Sequence, residues 1–116
     1  MKKIKLPHLA PIRFAKTILQ KDEKSAKVLL EFEILPSLAM LVEAAAQSSA
    51  AFRQSDNENA YLVSLKNIKL LQKPTSLSLE ADIKDEHRLD KMRYVSFKIM
   101  EKEVSLAEGT LVIAVQ

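Results

Sequence analysis

The residues best suited to chemistry lie in one short apolar stretch, Leu41-Val42-Glu43-Ala44-Ala45-Ala46-Gln47. Glu43 and Gln47 are four positions apart, so on a helix their side chains would share one face. A carboxylate among alanine, leucine and valine is uncommon, because burying an ionised group without partners costs several kcal/mol. Glu43 is therefore the candidate acid or base, and Gln47 is a candidate to orient it or to bind substrate. The alternative is a hydrogen-bonded polar strip without a catalytic role.

Four other residues could lie beside Glu43 or contribute to its chemistry. His8 is the nearest candidate for a second catalytic acid or base, although a structural hydrogen-bonding role is the commoner use of such a histidine. His87 lies in a charged segment and is expected to face solvent. Ser37 is expected to cap the helix, since no Ser/His/Asp arrangement accompanies it. The backbone N–H groups of Ser37 and Leu38 are candidates to bind a substrate carbonyl oxygen.

The composition excludes several kinds of site. The chain has 116 residues, 18 Lys and Arg against 15 Asp and Glu, a net charge of +3, one glycine and no cysteine. A single glycine cannot build a phosphate-binding loop, and the absence of cysteine excludes thiolate nucleophiles, iron–sulfur clusters and Cys-ligated zinc. His8 and His87 are too far apart in sequence to indicate a metal site, so no metal is expected. The mild charge and the 5% aromatic content argue against a nucleic-acid partner.

The elements that must position these residues begin with a central helix. No repeat or linker divides the sequence, so one domain over residues 1–116 is predicted. The stretch from Ser37 to about Gln54 is rich in Ala, Leu and Met and contains neither Gly nor Pro, which predicts a helix roughly 27 Å long. Apolar or small residues lie on all its sides, which indicates that protein encloses it.

Alternating apolar and polar residues predict strands before and after this helix. The predicted strands lie at residues 13–20, 27–34, 61–70, 77–84, 95–99 and 104–115. Changes of parity predict bulges at residues 66–67 and at Gly109, and the polar segments 56–59 and 85–90 are expected to be turns. Consecutive strands imply an α+β architecture, a curved antiparallel sheet against one long helix. Because one sheet face cannot cover an apolar helix, the sheet is expected to wrap it, with a second subunit closing the open side.

This order and several local motifs resemble the hot-dog fold proteins, specifically the 3-hydroxyacyl-acyl-carrier-protein dehydratases of the FabZ and FabA kind. The likeness covers nearly the whole chain. It begins at Leu6-Pro7-His8, is strongest at residues 41–47, includes Lys73-Pro74 and closes with Ala107-Glu108-Gly109-Thr110-Leu111. The resemblance implies a sheet wrapped around one central helix, a homodimer or higher homo-oligomer, and Glu43 in the position of the catalytic acid.

The sequence departs from that family just before the helix. In those enzymes a Gly-His-Phe-x-Gly loop supplies a histidine that works with the helix carboxylate in a site shared across a dimer interface. Here only Leu35-Pro36 separates the predicted strand from the helix, and neither that histidine nor those glycines have a counterpart. A dehydration requires one group to take the α-proton and another to protonate the departing hydroxyl. The usual dehydratase mechanism therefore lacks one of its groups.

Three functions follow from this departure. The first is a dehydratase-like enzyme of fatty-acid or polyketide-type metabolism, in which Glu43 works with His8 or with water. The second is an acyl thioesterase, in which Glu43 activates water while the helix N-terminus polarises the carbonyl. The third is a catalytically inactive subunit that binds acyl groups or pairs with an intact relative.

The partners implied by the resemblance are an acyl carrier protein or a CoA thioester, with the substrate carried on phosphopantetheine and no separate cofactor. Lys66, Lys69 and Lys73, beside Arg13 or Lys16, are a candidate docking surface for an acidic carrier; a solvated strand face is the alternative. No export signal and no membrane span are evident, so a cytoplasmic location is expected, in keeping with the absence of cysteine.

Overall fold

The computed structural model describes residues 2–3, 13–52 and 60–115. Helix α1 spans Leu38–Ser48 and is continued by a 3-10 helix at Ser49–Phe52. The strands in the described ranges are β1 (Lys2–Lys3), β2 (Ala15–Lys21), β3 (Ser25–Glu31), β4 (Ala60–Leu70), β5 (Ser78–Leu89), β6 (Met92–Glu101) and β7 (Val104–Val115). Within the same ranges, no helix combines the length and the apolar character needed to cross a membrane.

All the strands belong to one antiparallel sheet with the order β1-β2-β3-β5-β6-β7-β4. The chain places β4 at the far edge, beside β7, before it returns to form β5 next to β3. Helix α1 packs against β2, β5, β6 and β7. The predicted α+β architecture, with one helix against a curved antiparallel sheet, is confirmed.

Ser37 caps α1 at the predicted position. Its side-chain oxygen accepts a hydrogen bond from Met40 N at 3.3 Å, and its carbonyl accepts one from Leu41 N at 3.0 Å. At the other end, the hydroxyls of Ser48 and Ser49 donate to the carbonyls of Ala44 and Ala46. Such side-chain bonds compete with the helical pattern and accompany the tightening into a 3-10 turn. The last two residues of the predicted helix, 53–54, lie outside the described ranges.

The core lies between α1 and the face of the sheet that it covers. Every second residue is buried there from Leu79 to Asp85 of β5 and from Arg93 to Ile99 of β6, which is the pattern of strands with one face against a core. The helix contributes Leu41, Val42, Ala44 and Ala45 to this core. Its enclosure is nevertheless incomplete, because Ala39 is exposed and Glu43 is only half-buried. The predicted all-round burial of the helix is therefore correct for most of its surface but not for this side.

The bulge predicted in β4 is confirmed. Between Lys66 and Lys69, β4 advances by three residues while β7 advances by two, and Asn67 adopts a positive φ of 55°. The extra residue reverses the parity of the strand, so Ile68 packs against the buried core.

The bulge predicted at Gly109 is wrong. Gly109 pairs regularly with Phe97, and no glycine has a positive φ. A methyl group at this position would overlap Cδ1 of Ile68 and lie 3.0 Å from Cε2 of Phe97. Glycine is therefore needed for the close approach of Ile68 and not for its backbone freedom. The irregularity in β7 falls instead at Leu106, between the pairs Ile99–Ala107 and Met100–Ser105.

Strand boundaries differ from the prediction at several places. The polar segment 85–90 is not a turn, because β5 continues to Leu89 with a bulge at Glu86, and the chain reverses at Asp90, where φ is 56°. Strand β3 ends at Glu31, and Ile34 is 65% exposed, because the chain leaves the sheet there to reach the helix. Leu77, predicted to be buried, precedes β5 and is exposed. The predicted turn at residues 56–59 lies outside the described ranges.

Candidate functional site

Gln47 connects the helix to the beginning of β2. Its side chain is 3% exposed, and its Oε1 accepts hydrogen bonds from Phe14 N at 2.7 Å and from Ala15 N at 3.1 Å. Two backbone donors on one oxygen fix which end of the amide is the carbonyl. The Nε2 group must therefore point away from β2, towards the helix surface.

That Nε2 group donates to Oε1 of Glu43 at 3.3 Å. The predicted contact between residues 43 and 47 is thus present, and it has a direction: the backbone of β2 holds Gln47, and Gln47 in turn orients the carboxylate. Glu43 is half-buried, so its carboxylate remains reachable from the outside. An oriented and reachable carboxylate is what a general acid or base requires.

Glu43 lies on the open side of α1. This side consists of Ala39, Glu43, Ala46 and Ala50, which follow one another at helical spacing and are exposed or half-buried. We call this strip the open helix side. It presents three methyl groups and one carboxylate, so it offers an apolar surface beside a group that can transfer a proton.

The helix N-terminus lies one turn before Glu43. Ser37 is exposed and Leu38 is half-buried, and the Ser37 cap engages the N–H groups of Met40 and Leu41. The N–H groups of Leu38 and Ala39 have no partner within the helix, as at any helix start. Between Leu38 and Glu43 the axial separation is about 7.5 Å, at 1.5 Å per residue. Two of the predicted substrate-binding residues, Ser37 and Leu38, are therefore at the start of the helix that carries Glu43 near its middle.

The histidines do not supply a second group to this site in the described part of the chain. His87 is exposed and stacks on the ring of Tyr94, with centroids 4.3 Å apart and planes 11° apart. Tyr94 alternates with the buried residues Arg93 and Val95, so this stack lies on the sheet face opposite the helix. His87 faces solvent as expected. His8, the predicted second catalytic residue, lies outside the described residues.

A buried charged cluster at the far end of the helix was missed by the sequence analysis. Asp85 and Arg93 are 3% and 4% exposed; Asp85 lies in the segment 85–90 that was predicted to be a turn, and Arg93 lies between that segment and the predicted strand at 95–99. Asp85 Oδ2 lies 3.3 Å from Nη2 of Arg88, and Nη1 of Arg93 donates to the carbonyl of Phe52 at 3.5 Å. The signal was present, because Asp85 continues the alternation of the buried residues of β5. The cluster holds the end of the 3-10 helix to β6 and is far along the helix from Glu43.

The carboxylates of Asp22 and Glu101 have lowered pKa values, but both residues lie away from the open helix side. The backbone N–H of Lys24 and the hydroxyl of Ser25 hold the pKa of Asp22 below its ordinary value of 3.8. The hydroxyl and N–H of Thr75 hold the pKa of Glu101 below its ordinary value of 4.5. Each carboxylate anchors a connection between strands, since it accepts hydrogen bonds from a neighbouring turn or segment.

The edge strand β4 exposes apolar side chains on both of its faces. Tyr61 is 53% and Val63 is 51% exposed, and Leu62 and Leu65 are also exposed. Among the described residues this strand pairs only with β7, which leaves its other edge without a neighbouring strand there. A long edge strand with exposed apolar side chains tends to pair with a strand of another chain.

The predicted basic docking surface is divided by the fold. Lys66 and Lys69 lie on β4, and Lys73 follows in the connection to β5. Arg13 and Lys16 lie at the start of β2, and the sheet order separates β2 from β4 by the strands β3, β5, β6 and β7. The two groups of basic residues therefore do not form one continuous row along the sheet.

Sequence comparison finds no matching family model and no matching curated protein. Solved structures do match. The dehydratase heterocomplex ApeI:P from Xenorhabdus doucetiae is 13% identical over 94% of this chain and 86% of that chain, with a TM-score of 0.77. A mutant thioesterase from Pseudomonas aeruginosa is 14% identical over 84% and 78% of the two chains, with a TM-score of 0.71. A hypothetical thioesterase from Streptococcus pneumoniae, solved with coenzyme A, is 13% identical over 86% and 84%, with a TM-score of 0.71.

These likenesses, together with the strand order and the single central helix, define the architecture. The protein has the hot-dog fold, as the sequence motifs indicated. At such low identity the likeness concerns the fold alone, so the activity must be argued from the residues of this chain.

Proposed function

We propose that this protein acts on acyl thioesters, with Glu43 as the group that transfers protons and the open helix side as the surface that faces the acyl chain. The observation that carries the proposal is the fixed chain of contacts from the β2 backbone through Gln47 to the Glu43 carboxylate. The structural neighbours support the substrate class, since their descriptions name thioesterases, a dehydratase and bound coenzyme A.

The reaction we favour is hydrolysis, because it needs only one acid or base group. The thioester carbonyl would accept hydrogen bonds from the helix N-terminus at Leu38 and Ala39. Glu43 would take a proton from water as the water oxygen bonds to the carbonyl carbon. The C–S bond then breaks, and the thiolate receives the proton that Glu43 holds. The products are a carboxylic acid and the free thiol of CoA or of a phosphopantetheine carrier.

Dehydration is the second candidate, and two observations favour it. The motif at residues 41–47 resembles that of the dehydratases, and one structural neighbour is a dehydratase heterocomplex. Glu43 would carry out one of the two proton transfers on a 3-hydroxyacyl thioester, either removal of the α-proton or protonation of the departing hydroxyl. A second group would carry out the other transfer. His8 is our candidate for that second group.

We further propose that two copies of the chain associate through β4. The exposed apolar residues on both faces of this edge strand, Tyr61, Leu62, Val63 and Leu65, support the proposal. Pairing of β4 with a second β4 would extend the sheet and cover these side chains. The association gives a homodimer, the assembly that the sequence resemblance implies.

The test compares the wild type with Glu43→Gln on two substrates, a saturated acyl-CoA and a 3-hydroxyacyl-CoA. Hydrolysis is followed as free thiol and dehydration as the absorbance of the enoyl product. Glu43→Gln should lower the active reaction by about 100-fold or more, the usual contribution of a general acid or base. Glu33→Gln, an exposed glutamate before the helix, is the matched control and should have full activity.

Each outcome selects one reaction. Thiol release supports hydrolysis. Enoyl formation that is lost in both Glu43→Gln and His8→Gln supports dehydration. Full activity of Glu43→Gln contradicts the proposal. If the wild type binds acyl-CoA but turns over neither substrate, the protein is an acyl-binding or partner subunit and the catalytic proposal fails.

A further inference from the structure

The residues at the start of β2 make only part of the usual backbone pairing with β3. In a regular antiparallel sheet, two facing residues of a hydrogen-bonded pair exchange both N–H···O bonds. The N–H of Glu31 donates to the carbonyl of Phe14 at 3.0 Å, but the N–H of Phe14 donates to Oε1 of Gln47 at 2.7 Å. The N–H of Ala15 donates to the same oxygen at 3.1 Å. A backbone donor of the sheet is therefore used to hold a helix side chain, at the expense of pairing with β3.

A bulge directly follows these two donors. Between the pairs Ala15–Leu30 and Thr17–Leu29, β2 advances by two residues while β3 advances by one. Successive N–H groups of a regular strand point to opposite edges, so two of them converge on one oxygen only where the backbone is irregular. Bulges change the direction of local groups and are frequent beside functional sites. The orientation of Gln47 thus depends on a backbone geometry that regular pairing with β3 does not supply.

The ring of Phe32 holds Phe14 in this position. Both rings are buried, their centroids are 4.9 Å apart and their planes are tilted by 30°. This separation lies in the range of favourable aromatic pairs. Phe32 directly follows β3, and its own N–H donates to the carbonyl of Leu77 at 2.9 Å. The backbone of Phe32 is therefore fixed to the segment before β5, and its ring supports Phe14 from there.

Phe32 also belongs to the connection that leads into the helix. Only residues 33–36 separate it from the cap Ser37, and Pro36 among them is buried. Because proline fixes its own φ, this short connection leaves the first turn of α1 little freedom relative to Phe32. Phe32 is thus linked through the chain to the helix start and through Phe14 to the pair formed by Gln47 and Glu43.

We propose that Phe32 is a positioning residue for the Glu43 carboxylate. It acts through Phe14 and Gln47 and does not touch the substrate. Its ring keeps the start of β2 in the geometry in which the N–H groups of Phe14 and Ala15 converge on the amide oxygen of Gln47. Without the ring, this incompletely paired segment would move, and the carboxylate would lose its fixed orientation. The catalytic meaning of the inference rests on the proposed function, whereas the positioning itself does not.

Hydrogen exchange of backbone amides tests the positioning directly. Phe32→Leu removes the ring but keeps an apolar side chain. It should accelerate exchange at Phe14 and Ala15 by about fivefold or more relative to the amides of the central strand β5, the scale set by the loss of one aromatic contact. Phe97→Leu is the matched control, because Phe97 is buried on β6, a strand that is not adjacent to β2. This control should not single out the two amides.

The side chain of Gln47 gives a second measurement. Nitrogen-15 relaxation of its Nε2 group should show an ordered amide in the wild type and in Phe97→Leu, and a mobile amide in Phe32→Leu. Phe14→Leu removes the other ring of the pair and keeps the backbone N–H, so it should have the same effect. This second variant also decides the question if Phe32→Leu does not fold.

Kinetics separate positioning from stability once the wild-type reaction is known. Phe32→Leu should lower kcat by about tenfold with little change in KM, because the carboxylate is misplaced while the open helix side is intact. Phe97→Leu should keep both values at a temperature where every variant is folded. In a Glu43→Gln background, Phe32→Leu should have no further effect on kcat, since its effect passes through the carboxylate.

Three results would overturn the inference. The first is exchange at Phe14 and Ala15 that changes in Phe32→Leu only in proportion to β5. The second is a Gln47 amide that stays ordered without the ring, and the third is a full further loss of kcat in the Glu43→Gln background. If the wild type turns over neither substrate, the proposed function fails, but exchange and relaxation still decide whether Phe32 positions the amide that orients Glu43. The two proposals therefore fail independently.

Discussion

The side-chain amide of Gln47 donates to the carboxylate of Glu43 one helical turn away, with 3.3 Å between the two atoms. The direction of this bond is decided outside the helix, because the backbone N–H groups of Phe14 and Ala15 occupy the amide oxygen of Gln47. The candidate catalytic carboxylate on the helix is thus positioned, through Gln47, by the backbone at the beginning of β2. The first prediction follows from this relationship.

Replacing Gln47 by leucine should destabilise the fold by about 2–4 kcal/mol, because two buried backbone N–H groups lose their acceptor. Urea unfolding of Gln47→Leu measures this loss. Gln47→Glu keeps an acceptor for both N–H groups but places a second carboxylate against Glu43 at a buried position, so it should lose stability as well. Gln20→Leu, at an exposed position on β2, is the matched control and should change little. Equal stability of Gln47→Leu and the wild type would contradict the role given to the amide.

Gly109→Ala should destabilise the protein by about 1–3 kcal/mol through overpacking. The added methyl group would meet Cδ1 of Ile68 and Cε2 of Phe97. The partner substitution Ile68→Val removes Cδ1, so the double variant should lose less than the sum of the two single losses. Thermal or urea unfolding of the four proteins in this cycle gives the coupling. Additive losses would show that Ile68 does not occupy the space above Gly109.

Glu101 should contribute to stability near neutral pH and lose that contribution in acid. Hydrogen bonds from Thr75 lower its pKa in the folded protein below the ordinary value of 4.5, so folding favours the ionised form. The contribution is present above the unfolded-state pKa and is lost as the pH falls through the lower, folded-state pKa. The difference in urea midpoint between wild type and Glu101→Gln should therefore narrow from about pH 6 to about pH 3. Glu103→Gln, in the adjacent turn, controls for the loss of one charge.

Val63→Asp should reduce self-association through β4, because it places a charge on an edge that is otherwise apolar. Sedimentation equilibrium should show half the mass of the wild-type assembly, because the β4 contact is lost. The urea midpoint of the variant chain should be unchanged. Leu89→Asp, also an exposed apolar residue but on β5, should associate as the wild type does. If both variants behave alike, β4 is not the interface.

Much of the fold was predictable because it rests on local patterns. The start of the helix could be placed from Ser37, from the alanine-rich run that follows it, and from the absence of glycine and proline in that run. The alternation in β5 and β6 was enough to place their buried faces. The shift of parity in β4 located its bulge, since a one-residue insertion must reverse which side chains face the core. The resemblance of the motifs to the hot-dog fold then supplied the connectivity.

The sequence by itself determined which residues could do chemistry and on which helical face two of them lie, because helical periodicity is a local property. Only the tertiary structure decided what surrounds them. The partners of Gln47 come from β2, more than thirty positions earlier in the chain, and the crowding at Gly109 comes from Ile68 on β4 and Phe97 on β6. Contacts between distant segments depend on how the sheet is assembled, and no single stretch of sequence records that assembly.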